Sequence, residues 1–234
     1  MDISQLRFGP DVNGYWPVRD WGKLVATGAT FFGAKACEGA HTVDCSFAGH
    51  RDGFRQHFGA DARAVWYTMF HCEKDPSAQA ELLADTVGPL DPRETLCCDF
   101  EGTSYAKLAP DIVHAHGLQY LEAFYARLDS LGVLKGARPM IYTSARHWQM
   151  MGSPDWDRAA EIDLWVPRYH SPDPCPPDVL PKPWAQAGWT VLQWTDNKTG
   201  IHAPLDGVGA CDMNVLSSGT CTGFVRESET KGTP

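Results

Sequence analysis

Six short runs rich in β-branched and aromatic residues recur along this chain, at 28–35 (GATFFGAK), 64–70 (AVWYTMF), 95–101 (TLCCDFE), 138–144 (RPMIYTS), 162–166 (IDLWV) and 189–194 (WTVLQW). Runs of this length and character are strand signals, and helix-period patterns lie between several of them. The helical stretches are 44–58, 76–87 and 111–131. In the second, Asp75 supplies a cap and Pro76 takes the first helical position. In the third, Leu118, Leu121, Phe124, Tyr125, Leu128 and Leu131 return at steps of three and four, and Gly132 follows as a stop. Strands alternating with helices imply a parallel sheet covered by helices, and a chain of 234 residues folded as one domain points to a closed or nearly closed α/β barrel. The proline-dense stretch 171–183 cannot be helical, and little helical material separates the strands after it, so the barrel is expected to be irregular. The expected domain runs over 1–225, with 226–234 (RESETKGTP) as a flexible tail.

Composition removes several classes of function. Twenty Lys and Arg against 29 Asp and Glu leave a net charge of −9, which repels a phosphate backbone, so nucleic acid is not an expected partner. No apolar stretch approaches the roughly 18 residues of a spanning helix, so membrane insertion is not expected. The first twenty residues lack the basic leader and apolar core of a secretory signal. The expectation is synthesis without a signal peptide. Eight cysteines without a C-x-x-C pair suggest buried thiols; Cys97 and Cys98, adjacent on a strand, should point to opposite faces. Cys211 with Cys221 is the pair most open to a disulfide, and Asn197-Lys198-Thr199 is a formal glycosylation sequon.

Polar groups follow each strand candidate: Lys35 and Glu38, His71, Asp99 and Glu101, Tyr142 and Thr143, Arg168 and Tyr169, Thr195 and Asp196. In parallel α/β proteins the carboxyl ends of the strands face the ligand, so these groups should converge on one mouth. The sharpest local feature is Asp99-Phe100-Glu101, two carboxylates two residues apart and therefore on one face of a strand. Like charges in a partly desolvated mouth raise at least one carboxyl pKa, dividing the pair into acid and base. Glycoside hydrolysis uses such a pair. Nine Trp and seven Tyr offer the flat apolar surfaces that sugar C–H faces pack against. Serine-nucleophile, phosphate-loop and H-E-x-x-H signatures are missing from the sequence.

In order along the chain, Gly9-Pro10-Asp11-Val12-Asn13, Asp20-Trp21, Gly28-Ala29-Thr30-Phe31, Lys35-Ala36-Cys37-Glu38-Gly39, Asp75-Pro76 with Gln79-Ala80, and Asp99-Phe100-Glu101 resemble the segments of one family. Ile141-Tyr142-Thr143-Ser144, Leu164-Trp165-Val166-Pro167-Arg168-Tyr169, Gln193-Trp194-Thr195-Asp196 and Asp212-Met213-Asn214 continue the match. The family is the glycoside hydrolase family 25 lysozymes, the Chalaropsis-type muramidases common among phage endolysins. The resemblance implies an irregular TIM-like β/α barrel of about five βα units followed by late, partly antiparallel strands. It also implies cleavage of the β-1,4 bond from N-acetylmuramic acid to N-acetylglucosamine in bacterial peptidoglycan, without metal or organic cofactor. A monomer acting on the cell wall is expected, made in the host cytoplasm if phage-encoded, since no signal peptide is expected. Carried over to this chain, Glu101 would be the general acid, Asp99 its partner carboxylate, and Asp11 and Asp212 further acids of the cleft. Tyr67, Tyr142, Trp194, Glu38 and Arg168 would contact substrate.

The chain departs from the family pattern at several places. Tyr67-Thr68-Met69-Phe70 stands where the family reads Y-H-F, and Asn13, Cys37 and Pro167 replace serine, threonine and alanine. These departures motivate an alternative, a catalytically impaired peptidoglycan- or chitin-binding barrel; nine histidines motivate a third reading, a metal-dependent hydrolase. Carboxylates two residues apart do not reach the roughly 5–5.5 Å separation of a direct double displacement. Water attacking with inversion, or the substrate's own 2-acetamido group attacking with retention, are the remaining routes, and the second is preferred.

Overall fold

A computed structural model describes residues 7–102, 110–169, 179–196 and 204–217. The sequon at Asn197, residues 171–178 of the proline-dense stretch, Cys221 with its suggested partnership to Cys211, and the expected tail 226–234 lie outside the described residues. Strands and helices alternate as β1 (Phe8–Val12), α1 (Trp21–Ala26), β2 (Phe31–Glu38), β3 (Thr42–Val43), α2 (Phe47–His57), β4 (Arg63–Met69), α3 (Pro76–Val87), β5 (Glu94–Asp99) and α4 (Pro110–Leu131). β6 (Met140–Tyr142), α5 (Ala145–Gln149), β7 (Asp163–Pro167), β8 (Val191–Thr195) and β9 (Asp212–Leu216) complete the order. From β2 through β4, β5, β6, β7 and β8 every pairing is parallel. β9 inserts antiparallel between β8 and β1, and β1 pairs parallel with β2, which closes an eight-stranded barrel. β3 is a short antiparallel addition to the end of β2.

The helices form where capping and periodicity place them. The Asp75 carboxylate accepts the backbone N–H groups of Ser77 and Ala78 at 2.8 and 3.4 Å, with Pro76 behind it, and so opens α3. Gly132 follows α4 at φ +64°, a conformation that ends a helix at little cost to glycine. Among the described residues, five α-helices follow the early strands, whereas 3₁₀ turns at Asp157–Glu161 and Lys182–Trp184 precede β7 and β8. Among the late strands described, β9 is the one that runs antiparallel. Periodicity does not reveal β1 and β9, because FGPDV and DMNVL carry Pro, Asp and Asn at positions where a buried strand is normally apolar. The short α1 and α5 escape for want of length.

Strand alternation splits the buried residues into two layers. Phe31, Val65, Tyr67, Cys97, Met140, Tyr142, Trp165, Val191 and Leu216 fill the barrel, while Phe32, Phe54, Trp66, Leu83, Cys98 and Phe124 belong to the layer between sheet and helices. Cys97 and Cys98 thus point to opposite faces. Within the inner layer the rings of Phe31, Tyr67 and Tyr142 meet Trp165 edge-on at 5.7, 5.9 and 5.4 Å. Its indole fits because residue 33 is glycine; a Cβ there would lie 2.9 Å from Trp165 and 2.7 Å from the Asp11 Cβ. Among the described residues no helix is long and apolar enough to cross a membrane.

Candidate active site

Asp99 ends β5 with its backbone held on both sides. Its C=O accepts from the Phe70 N–H at 2.9 Å, and the next N–H, of Phe100, donates to the Tyr142 C=O at 2.9 Å. Phe100 turns outward and is fully buried among the helices, so Glu101 returns to the face of Asp99. Gly102 then takes φ +65° with its Cα packed so close to Met150 that a Cβ would lie 2.7 Å from the sulfur.

Both carboxylates border a cleft of about 280 Å³ at the carboxyl ends of the parallel strands. Asp11, Tyr67, Tyr142 and Asp212, expected at the site, line it together with Asn13, Trp16, Met69, Trp165, Tyr169, Gln193, Asp196 and Cys211. Among the described residues that line it, five are carboxylic acids and none is Lys, Arg or His. Asp99 is 6% exposed and its Oδ1 is buried without a hydrogen-bond partner. Burial pushes its carboxyl well above the ordinary aspartate range, and the nearby charges of Glu101 and Asp11 push it further, with Lys35 opposing. Asp11 is likewise raised by burial. Two amides work against that rise: Asn214 Nδ2 and Gln193 Nε2 donate to Asp11 Oδ2 at 2.7 and 3.0 Å.

These amides are themselves oriented. The Trp165 indole N–H donates to Asn214 Oδ1 at 2.8 Å, and the Tyr142 hydroxyl donates to Gln193 Oε1 at 2.7 Å. Each carbonyl is therefore occupied, and each NH₂ is turned toward Asp11. Tyr142 also meets the Tyr169 hydroxyl at 3.1 Å, which extends the network to the end of β7. Gln193 and Asn214 fall inside the segments that resemble the family, and period two counted from Val191 and Asp212 puts both on the inner face as buried polar residues. Asn13 and Met69 stand where the chain departs from the family pattern, and Trp16 is a loop residue without a local sequence signal.

Three expected substrate contacts stand elsewhere. Trp194 belongs to the outer core, because its neighbour Gln193 points into the barrel and a bulge between Gln193 and Thr195 brings Asp196, not Trp194, to the cleft. Glu38 is not part of the cleft lining; it accepts from Lys35 Nζ and lies 3.2 Å from His71 Nε2, while His71 Nδ1 lies 3.0 Å from Glu73. Burial would raise the Glu38 carboxyl, but Lys35 and His71 together hold it below its ordinary value. Arg168 contributes its backbone N–H to the Gln193 C=O at 2.8 Å, and its side chain is not part of the cleft lining. Thr143 and Thr195 are fully buried, outside the lining.

Chemically, the arrangement offers a buried carboxyl, a second, less buried carboxyl two residues on, a hydrogen-bonded carboxylate and aromatic walls. It suits an uncharged polyhydroxylated substrate whose transition state gains positive charge. Among the described residues no group of three or more His, Cys, Asp and Glu side chains is arranged to hold a metal ion. Residues 10–201 match the family model described as glycosyl hydrolases family 25. No curated protein matches the chain. Of solved structures, the bacterial lysozyme from Streptomyces coelicolor superimposes with a TM-score of 0.73 at 22% identity, covering 92% of this chain and 94% of that one. A muramidase from Acremonium alcalophilum gives 0.70 at 22% identity over 92% and 95%. The catalytic domain of an endolysin from a Listeria monocytogenes bacteriophage gives 0.60 at 15% identity over 92% and 94%.

Proposed function

Because the chain belongs to the glycosyl hydrolases of family 25, we propose that it is a muramidase, hydrolysing the β-1,4 bond from N-acetylmuramic acid to N-acetylglucosamine in bacterial peptidoglycan. The observation that carries this reading is the convergence of Asp99 and Glu101 from one end of β5 into a cleft with acidic and aromatic walls. Glu101, the less buried of the two, serves as general acid and protonates the glycosidic oxygen as the bond to the anomeric carbon breaks. The oxygen of the substrate's 2-acetamido group attacks that carbon from the other face, forming an oxazolinium ion. Asp99 accepts the acetamido N–H and faces the positive charge as it develops. A desolvated carboxylate gains more from a neighbouring cation than a solvated one, so burial that disfavours its charge in the empty cleft strengthens its effect in the transition state. Glu101, now a carboxylate, takes a proton from the water that opens the oxazolinium, and the anomeric configuration is retained.

Asp11 and Asp212 face each other across the β1–β9 pair and complete the acidic wall. Tyr67 and Tyr142 supply the apolar side of the sugar pocket. We place the action on the bacterial cell wall, in a lytic role of the endolysin kind; the shared fold with a phage endolysin catalytic domain supports that role.

Mass spectrometry of products from purified peptidoglycan tests the reaction. The expected result is fragments with reducing N-acetylmuramic acid ends from the wild type and none from Glu101→Gln. Reducing N-acetylglucosamine ends, or equal turnover by the variant, would overturn the assignment. Saturable binding without new reducing ends would favour a binding barrel. Lysis of bacteria by the protein expressed inside them, only after the membrane is permeabilised, is the outcome expected of the endolysin role.

A further inference from the structure

The β1–α1 loop holds two large aromatic side chains out in solvent beside the cleft. Tyr15 is 85% and Trp16 46% exposed, and their rings lie 6.2 Å apart at 59°. Leaving this much aromatic surface in water is unfavourable, so its retention beside a binding cleft points to a ligand. The loop is also built to keep them there. Asn13 Oδ1 accepts the Tyr15 N–H at 2.9 Å, the Asn13 C=O accepts the Trp16 N–H at 3.1 Å, and the Gly14 N–H donates to Asp44 Oδ2 at 2.9 Å. Asp44 is fixed in turn by the Ser46 N–H on its other oxygen, at 2.9 Å. A Cβ at position 14 would stand 3.0 Å from the Cys45 sulfur and 3.3 Å from both Asp44 carboxylate oxygens, so glycine lets the two loops close on each other.

Trp16 lines the same cleft as Glu101. In the barrel, β1 lies three strands round from β5, through β2 and β4, so an occupant spanning Glu101 and Trp16 crosses the mouth. We infer that Tyr15 and Trp16 form a glycan-binding platform outside the acid pair, against which the C–H face of a further acetamido sugar of the same strand packs. The inference rests on the proposed muramidase reading for the identity of the glycan. It adds a length requirement: strands long enough to reach the loop bind more tightly than strands that occupy the acid pair alone.

The test measures binding as well as turnover. Soluble glycan strands freed of their peptide stems and fractionated into two and four disaccharides are titrated calorimetrically into Glu101→Gln, and into the same protein carrying Trp16→Ala, Tyr15→Ala or Trp16→Phe. One lost stacking contact is worth roughly ten-fold in affinity. The expected result is a preference for the longer strand that falls about ten-fold with Trp16→Ala, less with Tyr15→Ala, and recovers with Trp16→Phe. An equal loss on both lengths, an unchanged preference, or no binding of either strand would overturn the platform. Product analysis of the wild type is read separately. Cleavage with no Trp16-dependent preference removes the platform and leaves the muramidase reading; Trp16-dependent binding without cleavage does the reverse.

Discussion

Asn214 donates its side-chain N–H to Asp11 Oδ2 at 2.7 Å from the adjoining antiparallel strand, although 203 residues separate the two in sequence. Trp165 holds that amide in register by donating to its carbonyl. Asn214→Ala therefore removes a donor from Asp11 and leaves the buried Trp165 N–H unpartnered. The expected loss of stability is about 1–3 kcal/mol in urea unfolding. Asp11, with one amide fewer to favour its charge, titrates at higher pH, so the acidic limb of kcat/KM moves upward. Unchanged unfolding and an unchanged pH profile would remove Asn214 from this role.

Asp99→Asn separates activity from stability. Burial, then Glu101 and Asp11, raise the folded carboxyl above its unfolded value, so the folded state holds the proton more tightly. Stability is lost as pH rises from the unfolded value through the folded one, and the ionised group is a net cost above it. The variant is expected to melt a few degrees higher than wild type at neutral pH, the difference shrinking toward pH 4, and to lose turnover by about a hundred-fold or more. Calorimetry at the two pH values checks the sign; a lower Tm at neutral pH contradicts it.

At the opposite end of β5, Glu94 is fully buried and accepts Arg55 Nε and Nη2, both at 2.7 Å, together with the Asp91 N–H at 3.0 Å. Glu94→Leu leaves Arg55 without its bidentate partner. Because Arg55 is partly exposed and regains some hydration, the cost falls near the lower end for a broken buried pair, about 2–3 kcal/mol. Denaturant melts should record this loss, while turnover per folded molecule stays at the wild-type level.

His50 and His147 make the fold acid-sensitive. Burial lowers each from 6.5 to about 4, opposed by Asp44 at His50 and reinforced by Arg146 at His147. His50 Nε2 accepts the Val18 N–H at 3.4 Å, a role the protonated ring cannot fill. The unfolded chain binds protons first, so stability falls as pH drops from 6.5 to 4, by at most about 1.4 kcal/mol per pH unit for each histidine. Unfolding free energies of wild type and His50→Gln across this window test it. The variant should show a shallower slope; identical slopes would exclude His50 as a source.

Much of the architecture follows from local chemistry. Asp75-Pro76 starts α3 and Gly132 closes α4 through backbone effects that act within a turn, and period two alone places Asp99 and Glu101 on one face and Cys97 opposite Cys98. The lysozyme-like order of motifs carried Asp11, Tyr67, Tyr142 and Asp212 to the cleft they line. What a linear reading could not decide is how the ring closes. β9 enters antiparallel between β8 and β1, and only that insertion brings Asn214 and Gln193 onto Asp11. Alternation from the inward Gln193 sends Trp194 to the outer core, a bulge after Gln193 brings Asp196 to the mouth, and Glu38 pairs with Lys35 and His71 instead of lining the cleft. Residue type and spacing set the intrinsic preference of each segment. Register, bulges and ring closure then depend on pairings between distant strands, whose energies no single segment contains.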